Sequence, residues 1–187
     1  MWIWLLIIFG SVVLDQVSKI LVEKFLQPVG SVSLIDGVFR FTYVRNEGAA
    51  FGMLDDHRWV FMVISSVAII VMLVYLWKFS PDSKWACTAI AMIIGGGIGN
   101  MIDRVRLGYV IDFIDFCAFP NLWMWVFNIA DACVCVGAGI LFVWCIVSLF
   151  KEGKVAKEKK CLEGASDDTE EAEKPDAQTQ EENIENK

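Results

Sequence analysis

One histidine, His57, occurs in 187 residues, and that scarcity removes whole classes of chemistry. A serine–histidine–aspartate arrangement needs an imidazole beside its nucleophile. His57 lies in a loop at the edge of an apolar run, where a surface role is the expectation. A zinc site needs several imidazole or thiolate ligands. The six cysteines, at 87, 117, 133, 135, 145 and 161, lack paired ligand spacing. No metal and no cofactor are therefore expected. No basic stripe with interleaved aromatics is present, which argues against nucleic acid as a partner. No internal repeat is visible, so the inverted halves of an ion-coupled carrier are missing. The first apolar run has neither a basic flank nor a small-residue cleavage pattern, so it reads as a retained helix rather than a removed leader.

Charge is absent where it matters most. Trp59–Trp77 and Ala132–Phe150 are uncharged runs of 19 residues, and Trp85–Ile102 is one of 18. Such runs can cross a hydrocarbon core of ~30 Å. Trp2–Leu14 with Val17–Val22 supplies a further apolar stretch, interrupted at Asp15. Four spans follow, at about 2–22, 59–77, 85–104 and 127–150. Trp59, Trp77 and Trp85 mark span ends, as interfacial aromatics do. Between the first two spans, residues 27–57 differ in character. Ser31–Ile35 and Val38–Val44 are rich in β-branched and aromatic residues, and only Asp36-Gly37 separates them, which predicts a hairpin. A second polar insert covers about 106–125.

The net charge of −7 belongs mostly to residues 151–187, where 7 lysines meet 12 acids. This tail has too few apolar residues to build a core and is expected to be disordered and dispensable for chemistry. Its opening lysines, 151, 154, 157, 159 and 160, mark that end as cytoplasmic, and Lys78 and Lys84 agree. An even span count places the N-terminus on the same side, with both polar inserts outside.

Ionisable groups inside spans are costly and usually functional. Asp15 and Lys19 stand four apart on span one and share a face. Asn100, Asp103 and Arg104 close span three, Asn128 and Asp131 open span four, and Asp112 follows span three by a few residues. With the topology above, all three sets fall in the outer leaflet. Bland readings exist for each: Asp15–Lys19 as a packing pair, Asp103–Arg104 as an interfacial pair, Asp112 as a loop acid, Asp131 as a cap. The Gly95–Gly99 spacing reads as close helix packing. Without a second histidine, the chemistry left is that of carboxylates with amides and one guanidinium. Two close carboxylates cannot both ionise, so one serves as base to water and the other as acid. Amide side chains can bind the developing oxyanion.

Five segments resemble the motifs of one family, the lipoprotein signal peptidases, also called signal peptidase II. They are Asp15-Gln-Val-Ser-Lys19, Asn46-Glu-Gly-Ala-Ala-Phe-Gly52, Gly99-Asn-Met-Ile-Asp103-Arg104, Val110-Ile-Asp112-Phe113 and Phe127-Asn-Ile-Ala-Asp131. Their order holds across about residues 2–150. The resemblance implies an all-α membrane protein with a small β element: four transmembrane helices in a 1–150 core, an extracytoplasmic β-cradle over about 27–57, and a periplasmic surface helix or loop over 106–125. It implies an aspartic endopeptidase of the bacterial inner membrane. The cut removes the signal peptide of prolipoproteins before a diacylglyceryl-modified cysteine. Asp112 and Asp131 would be the catalytic pair. Asp15, Lys19, Asn46, Gly48, Asn100, Arg104 and Asn128 would line or support the site. Lipidated precursors and membrane lipid are the expected partners, and a monomer the expected state. The pairing of Asp112 with Asp131 rests on this resemblance, since nothing in the residues alone joins positions 19 apart. A carrier, or a scaffold that binds lipoproteins without cutting them, is the competing reading.

Overall fold

The computed structural model describes residues 2–47, 58–78, 83–118 and 125–172. The chain divides into two compact units, residues 1–144 and 145–187. The first holds helices α1 (Trp2–Leu21), α2 (Arg58–Lys78), α3 (Lys84–Arg106) and the start of α4 (Ile129–Ala172), with a four-stranded sheet. Among the described residues, three helical stretches are long and apolar enough to cross a membrane: Trp2–Leu26, Lys84–Arg106 and Ile129–Lys154. In α2 the comparable apolar part is Met62–Lys78.

Helix α3 is the hub. Ala86, Ala89, Ala91, Ile90 and Ile94 are buried along it, and Ile8 of α1 with Ile69 and Leu76 of α2 close around them. The outer faces of the other helices are apolar and bare: Leu6 and Phe9 on α1, Val63 and Ile64 on α2, Phe142 and Val143 on α4. In water that much exposed aliphatic surface would drive association. In lipid it is the ordinary outside of a bundle, where packing comes from close fit rather than from exclusion of water.

The close fit comes from the glycine run on α3. A Cβ at Gly96 would collide with the Ala130 carbonyl oxygen and lie 2.9 Å from Val134 Cγ2, both on α4. A Cβ at Gly95 would reach Ser11 of α1 at 2.7 Å. One side of the run therefore admits α1 and another admits α4, which is the packing role the sequence suggested. Gly96→Ala should force α3 and α4 apart at a cost of about 1–3 kcal/mol, typical of overpacking. Thermal unfolding in detergent should show a midpoint several degrees lower, and an unchanged midpoint would contradict so tight a contact.

A π-helical segment, Val22–Leu26, ends α1, and Gly30 at φ +83° turns the chain into β1 (Ser31–Ile35). Gly37 at φ +72° makes the expected hairpin to β2 (Phe39–Asn46). The order β1-β2-β3-β4 is antiparallel throughout, with β3 at Val110–Phe116 and β4 at Val126–Phe127. Two expectations need correcting here. Much of the insert at 106–125 is not a surface helix or loop: Val110–Phe116 is the third strand of the sheet, so Asp112 is a strand residue. Span four does not begin at 127, because Phe127 pairs with Ile114 in the sheet and α4 starts at Ile129. Residues 119–124 and 48–57, including Gly48 and His57, lie outside the described residues.

In the second unit, α4 continues as helix through Ala172, where disorder was expected from residue 151. The composition argument excludes a packed core, not a helix. Lys, Glu and Ala are strong helix formers and need no buried face to favour it.

Candidate functional site

The turn into α4 organises the centre. Asn128 caps the helix: its Oδ1 accepts the Asp131 backbone N–H at 2.8 Å, and Asp131 Oδ2 accepts the Asn128 N–H at 3.2 Å. This is a reciprocal capping box, with Asp in the position usually held by Glu or Gln. The Asn128 amide then faces inward with both hydrogens engaged. Its Nδ2 donates to Asp112 Oδ1 at 2.6 Å and to Asn100 Oδ1 at 3.1 Å. Asn100 Nδ2 donates to Asp131 Oδ1 at 2.7 Å. Asn46, at the end of β2, donates to Asp112 Oδ2 at 2.9 Å. A break in the β2–β3 register between Phe41 and Val44 sets Val44 opposite Asp112 and Asn46 opposite Val110. Asn46 thereby becomes a diagonal neighbour of Asp112 on the same face.

A second cluster lies behind the first. Lys19, only 2 % exposed, is held at 2.9 Å by both Asp15 Oδ2 and Asp103 Oδ2, and donates to Asn100 Oδ1 at 3.0 Å. Asp15 Oδ1 accepts the Ala130 N–H at 2.9 Å, so a carboxylate sits at the positive end of α4. Asp103 Oδ2 accepts the Ile111 N–H at 3.1 Å. One buried ammonium and two carboxylates thus tie α1, α3, β3 and α4 together. Among the described residues, no buried side-chain nitrogen or oxygen lacks a partner. Nor is any group of three or more histidine, cysteine or acidic side chains arranged to hold a metal ion.

A scan against protein families matches the signal peptidase (SPase) II family over residues 7–147, a range that contains every residue of both clusters. Among curated proteins, the lipoprotein signal peptidase of Caldanaerobacter subterraneus subsp. tengcongensis is 50% identical over 137 residues, covering 73% of this chain and 91% of that protein. That of Clostridioides difficile is 43% identical over 152 residues, covering 81% and 98%.

The chain belongs to the signal peptidase II family.

Family membership makes it a peptidase of bacterial membranes and supports prolipoprotein signal peptides as its substrate class. A bacterial membrane enzyme solved by the in meso method at 2.3 Å resolution superimposes with a TM-score of 0.70 at 30% identity, covering 82% of this chain and 90% of that one.

Within this signal peptidase II fold, the residues singled out from sequence meet as follows. Asp112, Asp131, Asn46, Asn100 and Asn128 form the first cluster, and Asp15 and Lys19 belong to the second. Arg104 donates to the Asn100 carbonyl at 3.2 Å, and its charge acts on Asp131, Asp112 and Asp103. The reading of Asp103 with Arg104 as an interfacial pair is overturned: Asp103 is buried and pairs with Lys19. Gln16 was passed over in the sequence. Its Nε2 lies 3.0 Å from Asp103 Oδ1, 3.1 Å from the Gly99 carbonyl and 3.2 Å from Asp15 Oδ2. Asp115 was also missed; it binds Arg40 Nε and accepts from Thr42 Oγ1 at 2.9 Å, bracing β3 against β2. Its opposition to Arg40 follows from a strand register that the sequence did not reveal.

Burial pushes the Asp112 carboxyl up to about 6, and the Asp131 charge pushes the same way; hydrogen bonds from Asn46 and Asn128, with the Lys19 charge, pull it back. Ionising Asp112 therefore costs the folded state stability. The cost is absent below the ordinary carboxyl value of about 4, grows as pH rises, and is complete above about 6. An infrared titration of the protonated carboxyl band should find this proton. Asp131→Asn should move its midpoint down, and Asn46→Leu should move it up. Opposite shifts would show that the named neighbours do not govern it.

Proposed function

We propose that this chain is a four-span aspartic endopeptidase that removes the signal peptide of bacterial prolipoproteins, cutting before a cysteine that carries a diacylglyceryl group. The observation that carries the reading is the bridge at Asn128. Its side chain binds Asp112 and its backbone N–H binds Asp131. Two acids from a strand and a helix are thus held at one point. With one carboxyl protonated and the other ionised, the ionised oxygen takes a proton from water as that water attacks the scissile carbonyl. The protonated acid donates to the carbonyl oxygen, and the proton then passes to the departing amine. The Asp112 carboxyl, pushed up to about 6 by burial, supports this reading because it keeps a share of that proton as the pH rises toward neutral. The amides of Asn46 and Asn100, with Arg104 nearby, hold the carboxylates in place as charge moves between them.

Helix α2 supplies the fourth span in this reading. Its 21 residues reach ~31 Å at the rise of an α-helix, enough for the hydrocarbon core. The lysines at 151, 154, 157, 159 and 160 support cytoplasmic termini. The sheet and the paired clusters then face outward, at the level where a lipid-anchored cysteine would present its peptide bond. Asp15, Lys19, Asn100, Arg104 and Asn128 support the site, and Gly48 belongs to it by motif alone.

The test compares a diacylglyceryl-modified precursor with its unlipidated form in mixed micelles. The lipidated form should be converted at least ~10²-fold faster per kcat/KM, since remote binding energy is spent at the reacting bond. Equal rates on both would remove the lipid from the reading.

A further inference from the structure

We infer that Lys19 is a positioning residue that sets the polarity of the site's amides, a role that rests on the aspartic-peptidase reading above. An ammonium has three donors and no acceptor. Lys19 spends them on Asp15 Oδ2, Asp103 Oδ2 and Asn100 Oδ1. Asn100 must therefore turn its oxygen toward Lys19, and its NH2 is left aimed at Asp131 Oδ1. Asn128 is locked from the other side: its Oδ1 faces the Asp131 backbone N–H, which can only donate. Its NH2 then has to point at Asp112 and at the remaining lone pair of Asn100 Oδ1.

Both amides are consequently donors toward the two carboxylates, and the choice is made by the Lys19 ammonium and the Asp131 backbone N–H rather than by the carboxylate oxygens themselves. Either amide flipped by half a turn would put an oxygen against a carboxylate. Only the protonated acid could meet that oxygen, so the proton the mechanism must share would be trapped. Two backbone or charged donors, one on each side, prevent the flip. The groups facing Lys19 and Asn100 are Asp15 from α1, Asp103 and Arg104 from α3, and Asp131 from α4, with Asp112 on β3 beyond Asn128. Charge alone would make Lys19 interchangeable with any change that balances Asp15 and Asp103. Polarity makes its third hydrogen bond the part that matters.

Two double variants separate these roles. Lys19→Met with Asp103→Asn and Lys19→Gln with Asp103→Asn leave the cluster with the same charge as the native one. Of the two side chains placed at 19, only glutamine offers an N–H toward Asn100 Oδ1. Expected is cleavage of lipidated precursor within ~10-fold of native for the glutamine pair and a further loss of ~10²-fold for the methionine pair, the scale of a lost positioning bond. The loss should fall in kcat rather than KM, with the pH profile of the methionine pair displaced. Equal rates in the two pairs would overturn the inference. If either pair does not fold, the native chain supplies the measurement. The side-chain 15N resonances of Asn100 and Asn128 should shift together as the acids titrate, and a silent Asn100 resonance would overturn it. Cleavage surviving Asp112→Asn or Asp131→Asn would instead sink the peptidase reading, so the two failures are distinguishable.

Discussion

Asp112→Asn and Asp131→Asn, made separately, should each lose ~10³-fold or more in kcat/KM on a lipidated precursor, within the range for removing an acid–base group. The double variant should be little worse than either single one, because groups acting as a unit are not additive. Both single variants should still fold. Each carboxylate oxygen accepts a hydrogen bond: Asp112 from Asn46 and Asn128, Asp131 from Asn100 and the Asn128 N–H. An amide in either place sets one NH2 against a donor, at a cost of about 1–3 kcal/mol. Against that, the neutral side chain at 112 no longer carries a charge that burial disfavours. Precursor conversion followed by gel shift, beside a melting curve for each variant, checks both halves. Full activity in either variant would sink the dyad, and unfolding of both would mean the acids are structural.

What could be read in advance depended on the range of the signal. The hairpin was legible because β-branched runs on either side of Asp36-Gly37 are a local pattern. Helices α1 and α3 were legible from apolar run length, and the Asp15–Lys19 pair from helical spacing. Strand β3 was not. Val110–Phe116 shows no period of two, because its acids stand three apart at 112 and 115, one on each face, and Gly108 just before it marks a turn without saying what the chain turns into. What makes it a strand is β2 beside it, with Arg40 and Thr42 to meet Asp115 and Asn46 to meet Asp112. Asp103 misled for a similar reason. Its neighbour in sequence is Arg104, while its partner Lys19 lies on another helix. The meeting of Asp15 with the Ala130 N–H, 115 positions apart, had no local trace at all.

Lys19→Met alone should be the most destabilising single change in the bundle. The native cluster sets one positive charge between two carboxylates with every donor used. Removing the ammonium leaves Asp15 and Asp103 facing each other, both almost wholly buried. Breaking a buried pair from one side costs about 3–5 kcal/mol, because the surviving charge loses its partner but not its burial. The loss spreads, since Asp15 also holds the first turn of α4 and Asp103 holds the Ile111 N–H beside Asp112. Adding Asp103→Asn should return part of that stability by removing one of the two orphaned charges and the repulsion between them, which two independent lesions would not do. A double-mutant cycle on unfolding midpoints in detergent reads the coupling directly. Additive losses would mean that Lys19 and Asp103 touch without depending on each other, and that the fold around the acids is held elsewhere.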